Sequence, residues 1–106
     1  MDKTLGLLGI AKKAGLLAIG SEQTAISARH GKAYLIISAS DTSEGSVRRA
    51  IANAETNDTK YLAVPYSKFE LGSITGRGSP GILAILDKGL AESFEEKLTT
   101  AKECGA

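Results

Sequence analysis

The chain has 106 residues, with 13 Lys and Arg against 12 Asp and Glu, a formal charge of +1, 42% hydrophobic and 24% charged residues. These are the proportions of one globular domain, expected to span residues 1–106, in which about 65% of the unfolded surface can be buried without metal or disulfide staples. Cys104 is the one cysteine, which excludes an internal disulfide, and Lys3, Lys12 and Lys13 with Gly6 and Gly9 interrupt the N-terminal apolar stretch, so a cytoplasmic protein with no membrane partner is expected.

In chain order, Leu7, Ile10, Ala11 and Ala14 have helical spacing, and Gly15 can stop that helix. Leu16–Ile19 reads as a short strand. Gly20-Ser21 supplies a turn and a candidate N-cap, and a second helix through Ala25, Ile26 and Ala28 runs to a stop at Gly31. Tyr34–Ser38 is an apolar strand of the buried type. Asp41 and Glu44 have capping-box spacing, and Val47, Ala50, Ile51 and Ala54 continue a third helix behind them. Tyr61–Val64 is a strand closed by Pro65. Ser67 and Glu70 repeat the capping-box spacing ahead of a short helix through Leu71 and Ile74. Ile82–Leu86 is the last strand, and Ala91, Phe94, Leu98 and Ala101 form the stripe of a C-terminal helix, with Glu92, Glu95, Glu96 and Lys97 left for solvent. Helices and strands thus alternate, which predicts a small sheet covered on both faces, an α/β/α sandwich. Neither the strand order nor the presence of an antiparallel strand is readable from periodicity.

A total charge near zero argues against a strongly basic nucleic-acid binder. The total conceals an asymmetry, however. Residues 1–53 carry seven Lys/Arg against four Asp/Glu, a charge of +3, and residues 54–106 carry six against eight, a charge of −2. An anionic ligand would meet the N-terminal half.

Gly76, Gly78 and Gly81 match the letters of a dinucleotide fingerprint, but that motif must leave a strand and open a helix, and here it leaves a helix and enters a strand. The segment is either a flexible connector or a ligand-contacting loop. No Lys-Ser/Thr follows the last glycine, which excludes a phosphate-binding P-loop. His30, the one histidine, and Cys104 have no zinc spacing, and no nucleophile elbow occurs, so no metal, cofactor or catalytic residue is expected. His30 is read as a helix C-terminal residue, Asp41 as a helix cap and Cys104 as an incidental thiol. Gly20-Ser21-Glu22-Gln23 is different: it joins a strand to a helix start, where free N–H groups attract phosphate. The Glu22 carboxylate can accept from a guanine edge, and the Gln23 amide can both donate and accept. The same residues would also serve as an ordinary capped helix start with an acidic first turn.

Taken together, Leu8-Gly9-Ile10-Ala11-Lys12-Lys13-Ala14-Gly15, Gly20-Ser21-Glu22-Gln23, Gly31-Lys32-Ala33 leading into Tyr34–Asp41, Val64-Pro65, Glu70-Leu71-Gly72 and Asp87-Lys88-Gly89 resemble a known family over roughly residues 4–98. It is that of the ribosomal kink-turn RNA-binding proteins (the archaeal "seven-Ae" and "thirty-e" ribosomal proteins), in particular their small bacterial YlxQ-type branch. The resemblance implies a three-layer α/β/α sandwich with a small four-stranded mixed sheet. It also implies a non-enzymatic partner of structured RNA, kink-turn or ribosomal, with the ribosome as a candidate partner and no DNA expected. In the family, the segment at Gly20–Gln23 reads sheared G·A pairs and the loop at Gly76–Gly81 closes over a flipped-out nucleotide. By that likeness Gly20, Ser21, Glu22, Gln23, Arg77, Gly78 and Ser79 would contact RNA, with Lys12, Lys13, Arg29 and Lys32 as candidate phosphate partners. Family members commonly carry Asn or Lys, then Glu or Gln, and a Lys one helical turn on. This chain has Glu22, Gln23 and Ile26, so weaker binding or an altered target is expected. A protein-interaction module of the same fold that has lost RNA is the alternative.

Overall fold

A computed structural model describes residues 3–76 and 78–105, with side chains described between residues 4 and 98. Its elements are α1 (Lys3–Lys13), β1 (Leu17–Ile19), α2 (Ser21–Arg29), β2 (Leu35–Ser38), α3 (Glu44–Thr56), β3 (Lys60–Ala63), α4 (Lys68–Thr75), β4 (Ile82–Ile85) and α5 (Lys88–Gly105). The strands form one sheet in the order β1-β4-β2-β3. Only β4 opposes the others: it pairs antiparallel with β1 and β2, whereas β2 and β3 are parallel. The sheet is therefore mixed, as the resemblance implies. The two central strands, β2 and β4, are buried at every position, whereas β3 at the edge is half-buried at Tyr61 and Leu62 and exposed at both ends.

Helices cover both faces. Leu8 of α1, Leu71 of α4 and Ala91, Phe94 and Leu98 of α5 pack with Leu35, Ile37, Leu83 and Ile85 on one face. Ala28 of α2 and Ala50 and Ala54 of α3 pack with Ala18, Ile36 and Ala84 on the other. The result is the three-layer α/β/α sandwich.

Most helix signals act where the sequence places them. Ser67 accepts from the Glu70 N–H at 3.1 Å and Glu70 Oε1 accepts from the Ser67 N–H at 2.9 Å, a complete capping box on α4. Gly15 and Gly31 stand just past the ends of α1 and α2. Helix α5 extends through Cys104, whose side chain, like that of Ala101, lies outside the described ones.

Three local expectations are corrected. Asp41 and Glu44 do not form a capping box, because α3 begins at Glu44 itself and Ser43 is its cap, accepting from the Ser46 N–H at 3.3 Å. Asp41 instead accepts from the Lys68 N–H at 2.8 Å, serving the first turn of a different helix. Ser21 is not a cap either, since Gly20 occupies that position at φ 100° and ψ 158°. That combination is essentially reserved to glycine, which lets the helix start one residue earlier and releases the Ser21 side chain to solvent. On α1 the buried residues are Thr4, Leu8 and Ala11, whereas Ile10 is 56% exposed and Ala14 lies beyond the helix. The stripe is rotated because Thr4, polar by type, is inside.

Candidate functional site

Strands β1, β2 and β3 all end on the sheet edge where β4 begins, as the pairings Ile19↔Leu83, Ser38↔Ile82 and Ser38↔Ala63 show. Four connections therefore meet there: the start of α2, the β2–α3 and β3–α4 loops, and the Gly-rich segment before β4. Backbone hydrogen bonds tie them together. The Gly20 N–H donates to the Ile82 carbonyl at 2.9 Å, Ala39 N–H to Gly81 at 2.8 Å, and Ser40 N–H to Tyr66 at 2.8 Å. The Thr42 hydroxyl donates to the Gly81 carbonyl at 3.0 Å. A Cβ on Gly81 would lie 3.0 Å from Thr42 Oγ1 and 3.3 Å from its Cγ2, so a side chain there would press on Thr42 where the two loops approach.

The first turn of α2 differs chemically from the helix starts beside it. Side-chain oxygens of Ser43, Ser67 and Asp87 accept N–H groups at the starts of α3, α4 and α5. Helix α2 has no side-chain cap, and Ser21, Glu22 and Gln23 are all exposed. An uncapped turn presents donor N–H groups and the positive end of the helix dipole, and Glu22 and Gln23 add acceptors within the same turn.

Several sequence-predicted residues are brought to this edge and others are not. Gly20–Gln23 joins β4 directly. Gly78 and Ser79 are exposed in the loop that leads to Gly81, and Arg77 lies outside the described residues. That loop leaves α4 and enters β4, the inverse of a dinucleotide motif. Lys12 reaches the start of the same loop, its Nζ 3.6 Å from where a Cβ on Gly76 would stand, and Lys13 joins it in lining a groove of about 410 Å³ between α1 and α4. Arg29 sits in the last turn of α2 and Lys32 beyond it, roughly 12 Å along the helix axis from Ser21.

Residues not singled out in the sequence also converge here. Thr42 and Lys68 flank Gly81, with the Lys68 Cδ 3.5 Å from the position of a Gly81 Cβ. Between α2 and α3 a second groove of about 290 Å³ is lined by Ser21, Glu22, Thr24, Arg49, Asn53 and Ile82, among others. The spacing of Arg49 and Asn53, one helical turn apart beside Ala50, is the sequence signal that could have found its far wall. Among the described residues no group of three or more His, Cys, Asp or Glu could hold a metal ion, and no helix is long and apolar enough to cross a membrane.

The fold and this edge define a small α/β/α domain whose loops and one uncapped helix start meet at one end of the sheet. The chain belongs to the ribosomal protein L7Ae/L30e/S12e/Gadd45 family, whose pattern matches residues 2–95. It is similar to the RNA-binding protein YlxQ of Enterococcus faecium, 29% identical over 99 residues covering 90% of each chain. A relative of the same name in Bacillus subtilis strain 168 is 28% identical over 92 residues, covering 83% of this chain and 87% of that one. Two solved structures share the fold. A protein of unknown function from Bacillus halodurans superposes with a TM-score of 0.86 at 22% identity, covering 93% of this chain and 99% of that one. The Giardia lamblia 15.5kD RNA binding protein superposes with a TM-score of 0.71 at 18% identity, covering 93% and 84%.

Proposed function

We propose that the chain is a non-enzymatic RNA-binding protein that recognises structured RNA of the kink-turn class, with ribosomal RNA among the candidate targets. The observation that carries this reading is the uncapped start of α2, set against β4 through the Gly20 to Ile82 hydrogen bond, so that Ser21, Glu22 and Gln23 and the Gly-rich loop face outward from one edge. The YlxQ relatives and the Giardia protein, described as RNA-binding, support it. Phosphate is drawn to the free N–H groups, the Glu22 carboxylate accepts from guanine N–H donors that Watson–Crick pairing would occupy, and Gln23 reads a second edge. Lys12, Lys13 and Lys68 contact the backbone on either side of the loop. With few cations at the edge, nonspecific attraction is small and affinity depends on RNA shape.

Calorimetric titration with a kink-turn RNA and with a control whose sheared pairs are disrupted tests this. Tighter binding of the kink-turn at moderate salt is the expected result, and equal affinity for both, or none, overturns it. A second reading, a protein-interaction module that has lost RNA, is favoured by Phe69 at 76% and Ile10 at 56% exposure. The absorbance ratio of freshly purified protein separates the two, since bound nucleic acid supports the first.

A further inference from the structure

We propose that the groove between the first turn of α2 and the face of α3 is a separate binding site for a single nucleotide, the one that follows the bases met by Glu22 and Gln23. The proposal rests on the RNA-binding reading above and deepens it. At about 290 Å³ the groove lies just below the roughly 300–1,000 Å³ range of ligand clefts, room for one nucleotide at most and not for a strand.

Its lining supplies the parts a nucleotide needs. Thr24 is 1% exposed, and its hydroxyl oxygen is buried with no hydrogen-bond partner among the described residues. Native folds rarely leave such a group unpaired, and one that lines a groove is explained by a partner that arrives from outside. Across the groove, Arg49 is exposed and takes part in no ion pair among the described residues. It offers a planar cation to a phosphate. Asn53 stands one turn further along the same helix face, and its amide can donate to and accept from a base edge. Ala25, Ala50 and Ile82 form an apolar floor on which a base can lie flat.

Continuity with the helix start favours RNA over a peptide as occupant. Ser21 and Glu22 belong both to the uncapped first turn and to the groove wall. A chain of nucleotides held at that turn therefore passes its neighbour into the groove, phosphate towards Arg49 and base towards Asn53 and Thr24. A peptide side chain would find a floor made mostly of alanine and no long apolar track.

The test is nuclear magnetic resonance titration of the full chain, labelled with nitrogen-15, against the 5′-monophosphates of guanosine, adenosine, cytidine and uridine. Saturable shifts are expected at the Thr24 and Ala25 amides, the Asn53 side-chain amide and the Arg49 guanidinium. R49A should weaken binding about tenfold, the scale of one lost hydrogen bond to a charged group. T24V should weaken it by a smaller factor while its spectrum stays that of the folded protein. Absent shifts, shifts scattered away from the groove, or full binding by both variants overturn the proposal. So does a groove that shifts only when another protein is added. Kink-turn RNA and its disrupted control report separately through Gly20–Gln23. Groove shifts without kink-turn preference uphold the nucleotide site and overturn the specific RNA reading. Kink-turn preference with a silent groove does the reverse.

Discussion

Phe94, Leu8, Leu71 and Leu98 fill the space between the sheet and α1, α4 and α5, whereas Ala18, Ala28, Ala50, Ala54 and Ala84 dominate the space between the sheet and α2 and α3. Burial stabilises in proportion to apolar area, about 25 cal/mol per Å², so the first layer supplies most of the driving force. The second brings helices close on small side chains and leaves a groove beside an uncapped helix start and an unpaired Thr24 hydroxyl. One face holds the fold together, and that allows the other to carry groups that do not serve stability. Acidic residues stand on both sides of the sheet: Glu92, Glu95 and Glu96 lie on α5, whereas Glu22 lies on α2 and Glu44 and Glu55 on α3.

That contrast can be broken by experiment. The largest effect is expected for Phe94→Ala, about 3–5 kcal/mol of lost stability in urea unfolding, because a fully buried ring leaves a cavity. The matching cut in the other layer, Ala50→Gly, should cost only about 1 kcal/mol, chiefly from helix propensity. Equal losses would mean that the layers share the load. Next is Gly20→Ala, which forces a Cβ into a backbone region nearly closed to it and should cost about 1–3 kcal/mol. RNA affinity should fall with it, since the first turn of α2 must shift.

Thr24→Val reverses the sign. Removing a buried hydroxyl that has no partner should raise stability by about 1 kcal/mol, read as an increase in melting temperature, while ligand affinity falls. A destabilised variant would show that the hydroxyl serves the fold. The smallest effect belongs to Lys60 and Glu95, whose ion pair spans 2.7 Å with side chains 69% and 31% exposed. A double-mutant cycle should yield at most about 1 kcal/mol, and solvent and salt screening bring it towards zero.

The legible features share a short range. The Ser67–Glu70 box and the glycine stops are written within a few residues of where they act, and each works as read. Gly20–Gln23 was visible for the same reason, as a polar helix start after a strand. Asp41 shows where local reading ends: its spacing to Glu44 suited a cap, but the backbone N–H of Lys68, 27 residues away, took its carboxylate. Thr24 shows it again. Four residues before the buried Ala28 it lies on the inner face of α2, yet its lack of a partner depends on what α3 does and does not bring to it.

By itself the sequence determined that helices and strands alternate, roughly where they begin and end, and that the residues after the first strand and before the last are chemically unusual. Periodicity and capping are local, and local hydrogen bonds and rotamer preferences enforce them. The tertiary structure alone decided that β4 inserts antiparallel between β1 and β2, which brings Gly20 against Ile82 and the Gly-rich loop to the same edge. It also decided that Thr24 and Arg49 face one groove. Strand order and the meeting of two helices depend on contacts between residues far apart in the chain, whose free energy comes from burying both partners together, and no single segment carries that information.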